Sequence, residues 1–97
     1  MTYLAFQQLP GGVAATAISL SAALTIPSGA QYAELQASGN HIRYTIDSAN
    51  NPPTTTYGQL LRTTDPPKIF PIRDILNMKV IRDGAVTNSD LFIHYIS

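Results

Sequence analysis

The stretch IRYTIDSANNPPTTTYG, residues 42–58, decides how the rest of the chain is read. It opens as an alternating strand, with Ile42, Tyr44 and Ile46 on one face and His41, Arg43 and Thr45 on the other. A period of two is what a half-buried strand needs, because successive side chains leave opposite faces of the sheet. At Asp47 the alternation gives way to a polar loop, SANNPPTTT. Pro52 and Pro53 carry no amide hydrogen and hold φ at about −65°, which bars this backbone from a central ladder. Asn51, the residue before Pro52, is biased toward extended geometry. The stretch reads as a strand feeding a stiff, exposed loop that returns at Tyr57–Gly58.

Outward from it, the chain is a series of short alternating runs. Upstream, Ala33, Leu35 and Ala37 alternate with Tyr32, Glu34 and Gln36, and Ser38-Gly39-Asn40 is a turn that supplies positive φ. Strands 31–37 and 41–47 are therefore expected to form a hairpin. Residues 18–26 alternate as well, with Ile18, Leu20, Ala22, Leu24 and Ile26 on one face. A helix through Val13, Ala17, Leu20 and Leu24 competes, since alanine favours it. The strand reading is preferred because its period runs longer and Pro27-Ser28-Gly29 closes it. Residues 3–9 form a first strand, stopped by Pro10-Gly11-Gly12. Downstream, Gln59–Leu61 is a short strand or bend, and Thr63-Thr64-Asp65-Pro66-Pro67 is a second stiff connection. Lys68–Phe70 is a brief strand before Pro71, and Ile72–Leu76 is long enough for a single helical turn. A strand around Val80 ends at the turn pair Asp83-Gly84, and DLFIHYI, residues 90–96, reads as a strand buried on both faces.

Seven or eight short strands at turn spacings of about 8–12 residues predict an all-β chain, a single antiparallel sandwich or jelly roll over residues 1–97. Connections this short exclude crossovers, so pairing should be mostly antiparallel. The expected core is Leu20, Leu24, Ile26, Leu35, Ile42, Tyr44, Ile46, Val80, Phe92 and Ile96. Composition narrows the function. Of 97 residues 44% are apolar, which argues against disorder, but only 12% are charged, about half the usual share. Such a surface is covered by uncharged polar groups or buried against partners. The net charge is zero and the six basic residues are scattered among acids, so no phosphate-tracking stripe is expected. The absence of cysteine excludes disulfides and thiolate metal sites. The first ten residues lack the basic start of a signal peptide, and no run approaches the roughly 20 apolar residues of a membrane helix.

Catalytic chemistry finds little support. His41 and His94 stand far apart without acidic residues at ligand spacing, whereas zinc needs at least three converging ligands. The carboxylates Asp47, Asp65, Asp74, Asp83 and Asp90 lie mostly at turns, where Asp bonds its own backbone, and Glu34 stands alone. No nucleophile elbow, P-loop or dinucleotide fingerprint is present. The expectation is a non-enzymatic protein without metal or cofactor. Tyr32, Tyr44, Tyr57 and Tyr95 with Arg43 offer a stacking platform for sugars or bases, against the plainer reading of ordinary strand aromatics. The two proline-stiffened loops fit protein–protein docking better, since they lose little entropy when a partner orders them. Pro52, Pro53, Thr55, Tyr57, Pro66 and Pro67 are the expected partner-interface residues. Shortening 48–56 to a two-residue turn is expected to spare the fold and weaken partner binding.

ALTIPSGAQYAELQ, residues 23–36, and the segment from Ile42 to Leu61 carry a resemblance, extended more weakly by the last strand, Leu91–Ile96. Together, over about two-thirds of the chain, they resemble small tailed-bacteriophage virion proteins. The family pattern has an Asp-Gly turn where Asp47 is here followed by Ser48-Ala49-Asn50, so the loop is longer. The resemblance implies a virion structural component assembled in the host cytoplasm, a capsid decoration or cement protein bound to the major capsid protein. It also implies a homo-oligomer, dimer or trimer, while the scattered charges and the lack of a long apolar run argue against binding nucleic acid or membrane. A neck, tail or fibre-attachment protein is the nearest variant. The Y-T-x-D-x-x-x-x-P-T pattern is also similar to β-sandwich modules of carbohydrate-active enzymes, which makes a glycan-binding or adhesion module the alternative of another class. In that case Tyr32, Tyr57 and Tyr95 should lie exposed in one plane.

Overall fold

Alternation and turn chemistry produce eight strands and two single-turn helices among the described residues, 2–9, 12–84 and 87–97, of the computed structural model. In order these are β1 (Tyr3–Gln8), β2 (Ile18–Ser19), α1 (Leu20–Ala23), β3 (Tyr32–Ser38), β4 (Ile42–Thr45) and β5 (Gln59–Leu61). They are followed by β6 (Lys68–Pro71), α2 (Ile72–Leu76), β7 (Lys79–Arg82) and β8 (Asp90–Ile96). The Pro10-Gly11 part of the first expected break lies outside the described residues.

Four of the pairings are nested: β1 with β8, β2 with β7, β3 with β6, and β4 with β5. They are the two arms of one long ribbon, and the loop after Asp47 is its tip. The ribbon wraps over itself, adding β3 against β8 and β4 against β7. Two four-stranded antiparallel sheets result, ordered β1-β8-β3-β6 and β2-β7-β4-β5. This is the wrapping of an eight-stranded jelly roll, the fold class expected from the strand spacing.

One buried cluster draws on both sheets, including Leu35, Ile93 and Tyr95 from the first and Ile42, Tyr44, Leu61 and Val80 from the second. Tyr44 meets Phe70 edge-on across the gap, with ring centroids 5.4 Å apart. Such aromatic contact adds about 0.5–1.5 kcal/mol beyond area burial.

The wrapping overturns the expected hairpin of strands 31–37 and 41–47. β3 and β4 lie in different sheets, so the turn at Ser38-Gly39-Asn40 crosses the sandwich and does not reverse within a ladder. Polar groups hold the crossing. The Asn40 amide donates to the carbonyls of Asp83 and Thr87, and the buried Ser89 hydroxyl reaches the carbonyls of Ser38 and Asn40. A strand over 18–26 is also overturned. Only Ile18 and Ser19 pair, and Leu20–Ala23 is a helical turn closed by the Leu24 amide on the Leu20 carbonyl at 3.0 Å. The partner runs out: β7 begins at Lys79, opposite Ser19, and the last ladder-like bond joins Leu20 N–H to Met78 O. With no acceptors ahead, the alanine-rich segment takes its local preference.

Three expected core positions, Ile26, Ile46 and Phe92, are not fully buried, and Ile26 is half-buried against the cluster. Ile46 is 38% exposed because β4 ends at Thr45. β8 is buried on alternate residues, Leu91, Ile93 and Tyr95, and so is not buried on both faces. Phe92 is half-buried on its outward side. Ile96 is buried as expected, between its register partners Tyr3 and Tyr32.

Candidate interaction surfaces

The tip loop is built by short-range polar bonds and then fastened to the sheet. Asn51 N–H donates to Asp47 O at 2.8 Å, and the Asn50 amide donates to the Asp47 carboxylate. Thr54 and Tyr57 exchange reciprocal backbone bonds, making a small closed turn beyond the prolines. Ser48 is buried: its hydroxyl donates to Thr45 O and accepts from Lys79 N–H, each at 2.8 Å. The Thr45 hydroxyl in turn donates to Asn51 O, and Gly84 N–H donates to Thr55 O. The loop is therefore part of the sheet's hydrogen bonding, and replacing 48–56 by a two-residue turn would strip β7 of a partner. These contacts tie the loop to the fold, against the expectation that it is dispensable. Ser48→Ala should destabilise the protein by about 1–3 kcal/mol, the penalty for leaving a buried amide unpaired. Urea denaturation measures this, and a loss below about 0.5 kcal/mol would mean that the loop is independent of the sheet.

The six expected interface residues separate into two groups. Pro52 and Tyr57 are exposed at the tip, Tyr57 by 54%, and Thr55 is half-buried beside them. Pro53 is buried next to Gly58 and braces the loop from inside, so it presents no side chain outward. Pro66 and Pro67 are exposed in the second loop, where Arg62 N–H donates to the Asp65 carboxylate and Thr63 N–H donates to His41 Nδ1. In the β4–β5 register Tyr44 faces Gln59 and Ile42 faces Leu61, so the two loops leave opposite ends of β5. They do not form one surface. The tip borders an open groove of about 530 Å³ with Arg43, Asp47, Asn51, Tyr57 and Gln59 in its lining. Arg43 is already engaged there, with Nε 2.7 Å from the Asp83 carboxylate and Nη1 donating to Gly58 O at 2.9 Å.

A second surface was not foreseen. The outward side of the first sheet carries Phe6, His94, Glu34 and Ile69 in one cross-strand row and Tyr3, Ile96, Tyr32 and Pro71 in the next. Tyr3 is 60% exposed, Phe6 55% and Ile69 49%. Phe6 stacks on Phe92 with ring centroids 5.8 Å apart and leans on His94 at 4.7 Å. Glu34 accepts from the Tyr3 hydroxyl at 3.4 Å, and its other oxygen is 3.8 Å from His94 Nδ1. The outer face of an antiparallel sheet is ordinarily polar. The signal lay in the run 90–96: its alternation is hidden because Phe92 and Ile96 put apolar side chains on the outward face as well.

The tyrosine platform does not assemble. Tyr95 and Tyr44 are core residues, while Tyr32 belongs to the first sheet and Tyr57 to the tip loop. The Tyr95 hydroxyl donates to Gln7 Oε1 at 2.9 Å, and burial raises its pKa above the ordinary 10.0. The folded state thus holds this proton more tightly than the unfolded chain. Its contribution to stability is complete below about pH 10 and is lost as pH climbs toward the raised value. Tyr95→Phe should therefore lessen the fall in stability above about pH 10, checked by denaturation across that range. No described helix is long and apolar enough to cross a membrane, and no described group of three His, Asp or Glu residues converges as a metal site would. No family model, curated protein or solved structure matches the chain.

Proposed function

We propose that this chain is a non-enzymatic structural protein of a tailed-bacteriophage particle, a capsid decoration or cement protein that sits on the major capsid protein as a homo-oligomer. The observation that carries the reading is the aromatic outer face of the first sheet, Tyr3, Phe6, Tyr32 and Phe92, on a chain with few charges. Large apolar patches of this kind mark interaction surfaces. The resemblance of residues 23–36 and 42–61 to virion proteins supplies the class of partner. Five of the six carboxylates are engaged in holding the fold, which supports the non-enzymatic reading. Asp47 holds Asn50, Asp65 the Arg62 amide, Asp83 Arg43, Asp90 Gln8, and Glu34 Tyr3. Pro52, Thr55, Tyr57, Pro66 and Pro67 then serve as rigid corners on either end of β5. A repeated lattice multiplies a modest contact through avidity. The jelly roll is compatible with this role but does not itself name one.

Mass spectrometry of purified particles with copy-number determination tests the reading. Hundreds of copies support shell decoration, six or twelve place the chain at a neck or tail, and none overturns the virion role. One observation favours a glycan-binding module as the second reading: exposed Tyr57 beside Asp47, Asn51 and Gln59 in the tip groove. An aromatic face next to planar polar groups suits a sugar ring. Glycan-array binding abolished by Tyr57→Ala would favour it, and an array without signal would remove it.

A further inference from the structure

A jelly roll that is not closed has four sheet edges, and three of these are blunted. β2 has two residues and β5 three, too few to template another strand. β6 begins with Lys68 and ends at Pro71. Short length, lysine and proline are the devices that keep edges from pairing. β1 has none of these three, and its one edge-protecting feature, a bulge between Tyr3 and Ala5, leaves Ala5–Gln8 regular. It is six residues long, YLAFQQ, without charge, glycine or proline, and it is exposed at every position except Gln7. Its inner side is occupied by β8. Leu9 N–H donates to Leu91 O, so in the alternating ladder the amides of Ala5 and Gln7 also face β8, and those of Phe6 and Gln8 face the open edge. Among the described residues no hydrogen bond from another segment reaches the backbone of Phe6 or Gln8.

We infer that the β1 edge pairs with β1 of a second copy of this chain, joining the two first sheets into one eight-stranded sheet around a two-fold axis. Two-fold symmetry sets a strand antiparallel to its own copy, the sense of every strand pairing among the described residues. A foreign strand has no comparable claim, because β1 offers it no charge to select or orient it. The same lack of charge means that two copies meet without repulsion. The register follows from β1 itself. A bulge interrupts the strand between Tyr3 and Ala5, so the regular segment runs from Ala5 to Gln8 and on to Leu9. Centring the axis on Gln7 uses that segment alone and sets Phe6 opposite Gln8 of the copy, with both outward-facing amides and carbonyls bonded. Phe6 and Phe92 of each copy then continue the aromatic face across the seam.

This inference deepens the structural-subunit reading by naming the partner that completes the oligomer, but it is tested on the purified chain alone. Light scattering on a sizing column should give twice the chain mass. Gln8→Pro should give the chain mass with an unchanged circular-dichroism spectrum, because it removes an edge-facing amide and leaves the β1–β8 ladder whole. The chain has no cysteine, so Phe6→Cys and Gln8→Cys can be introduced singly. Mixed and oxidised, the two variants should cross-link to one another several-fold more than either does to itself. A monomeric parent across a concentration series, or a Gln8→Pro protein that remains dimeric, overturns the edge dimer. Preferential self-linking of Phe6→Cys overturns the register. A monomer found abundantly on particles would remove this interface and leave the virion reading standing. A dimer absent from particles would do the reverse.

Discussion

Leu20→Ala should cost the fold about 2–5 kcal/mol, the range for truncating a fully buried leucine whose surroundings relax only in part. Leu20 has no exposed surface, and it lies where β2 hands over to α1, between the sandwich core and the turn after α2. The same segment separates the helical turn from the alternating strand that its sequence also allows. In an alternating strand Ala22 would share the buried face of Leu20 and Leu24. In the helical turn Ala22 is exposed, while Leu20 and Leu24, four residues apart, are both buried. Ala22→Glu should therefore change stability by no more than about 0.5 kcal/mol, as surface substitutions do. Urea denaturation of the two variants gives both numbers. A severe loss from Ala22→Glu would restore the strand.

The second large effect is expected at Gly58, where the tip loop re-enters β5. Its φ of +126° is open to glycine and strained for any other residue. An added Cβ would also lie 3.0 Å from the Tyr44 carbonyl oxygen and 3.4 Å from Pro53. The first is backbone in the β4–β5 ladder and cannot swing aside. Gly58→Ala should destabilise by about 1–3 kcal/mol from backbone conformation, with a further loss from displacing β4. Gly29 is the control. Its φ is +86° with nothing within 4 Å, so Gly29→Ala reports conformational strain without the collision. Equal losses at the two sites would show that the Tyr44 approach does not matter.

What the residues disclosed and what they withheld divide along a physical line. Period-two runs, Pro-Gly turns and the single turn Ile72–Leu76 are local signals, and they placed β1, β3, β4, β6, β7, β8 and α2 within a residue or two. Which strand pairs with which is decided by sheet wrapping. Ser38-Gly39-Asn40 therefore signalled a change of direction and left open whether the chain doubled back or crossed over. Leu20–Ala23 failed for a related reason: the ladder ends where β7 begins, and nothing in residues 18–26 records where a strand some sixty positions later starts. The exposure of Tyr57, Pro66 and Pro67 was legible because residues of turns and loops lie at corners. Pro53 turned inward because Gly58 leaves it room. The aromatic outer face was not legible because Phe92 and Ile96 add apolar residues to the outward side of β8, giving the run the look of a fully buried strand.

The nesting of strand pairs also governs how expensive each stage of assembly is in chain entropy. Were Tyr3 to find Ile96 first, nearly the whole polypeptide would have to be gathered into a single closed circuit, whose entropic penalty grows with the logarithm of its length. Beginning instead where Tyr44 meets Gln59 encloses only the tip, and every later pair closes a circuit that the preceding one has already shortened. The hydroxyls and prolines clustered between Thr45 and Gly58 thus work as the crimp at the fold of a strap: once it is set, the two free lengths lie side by side and only need to be pressed together.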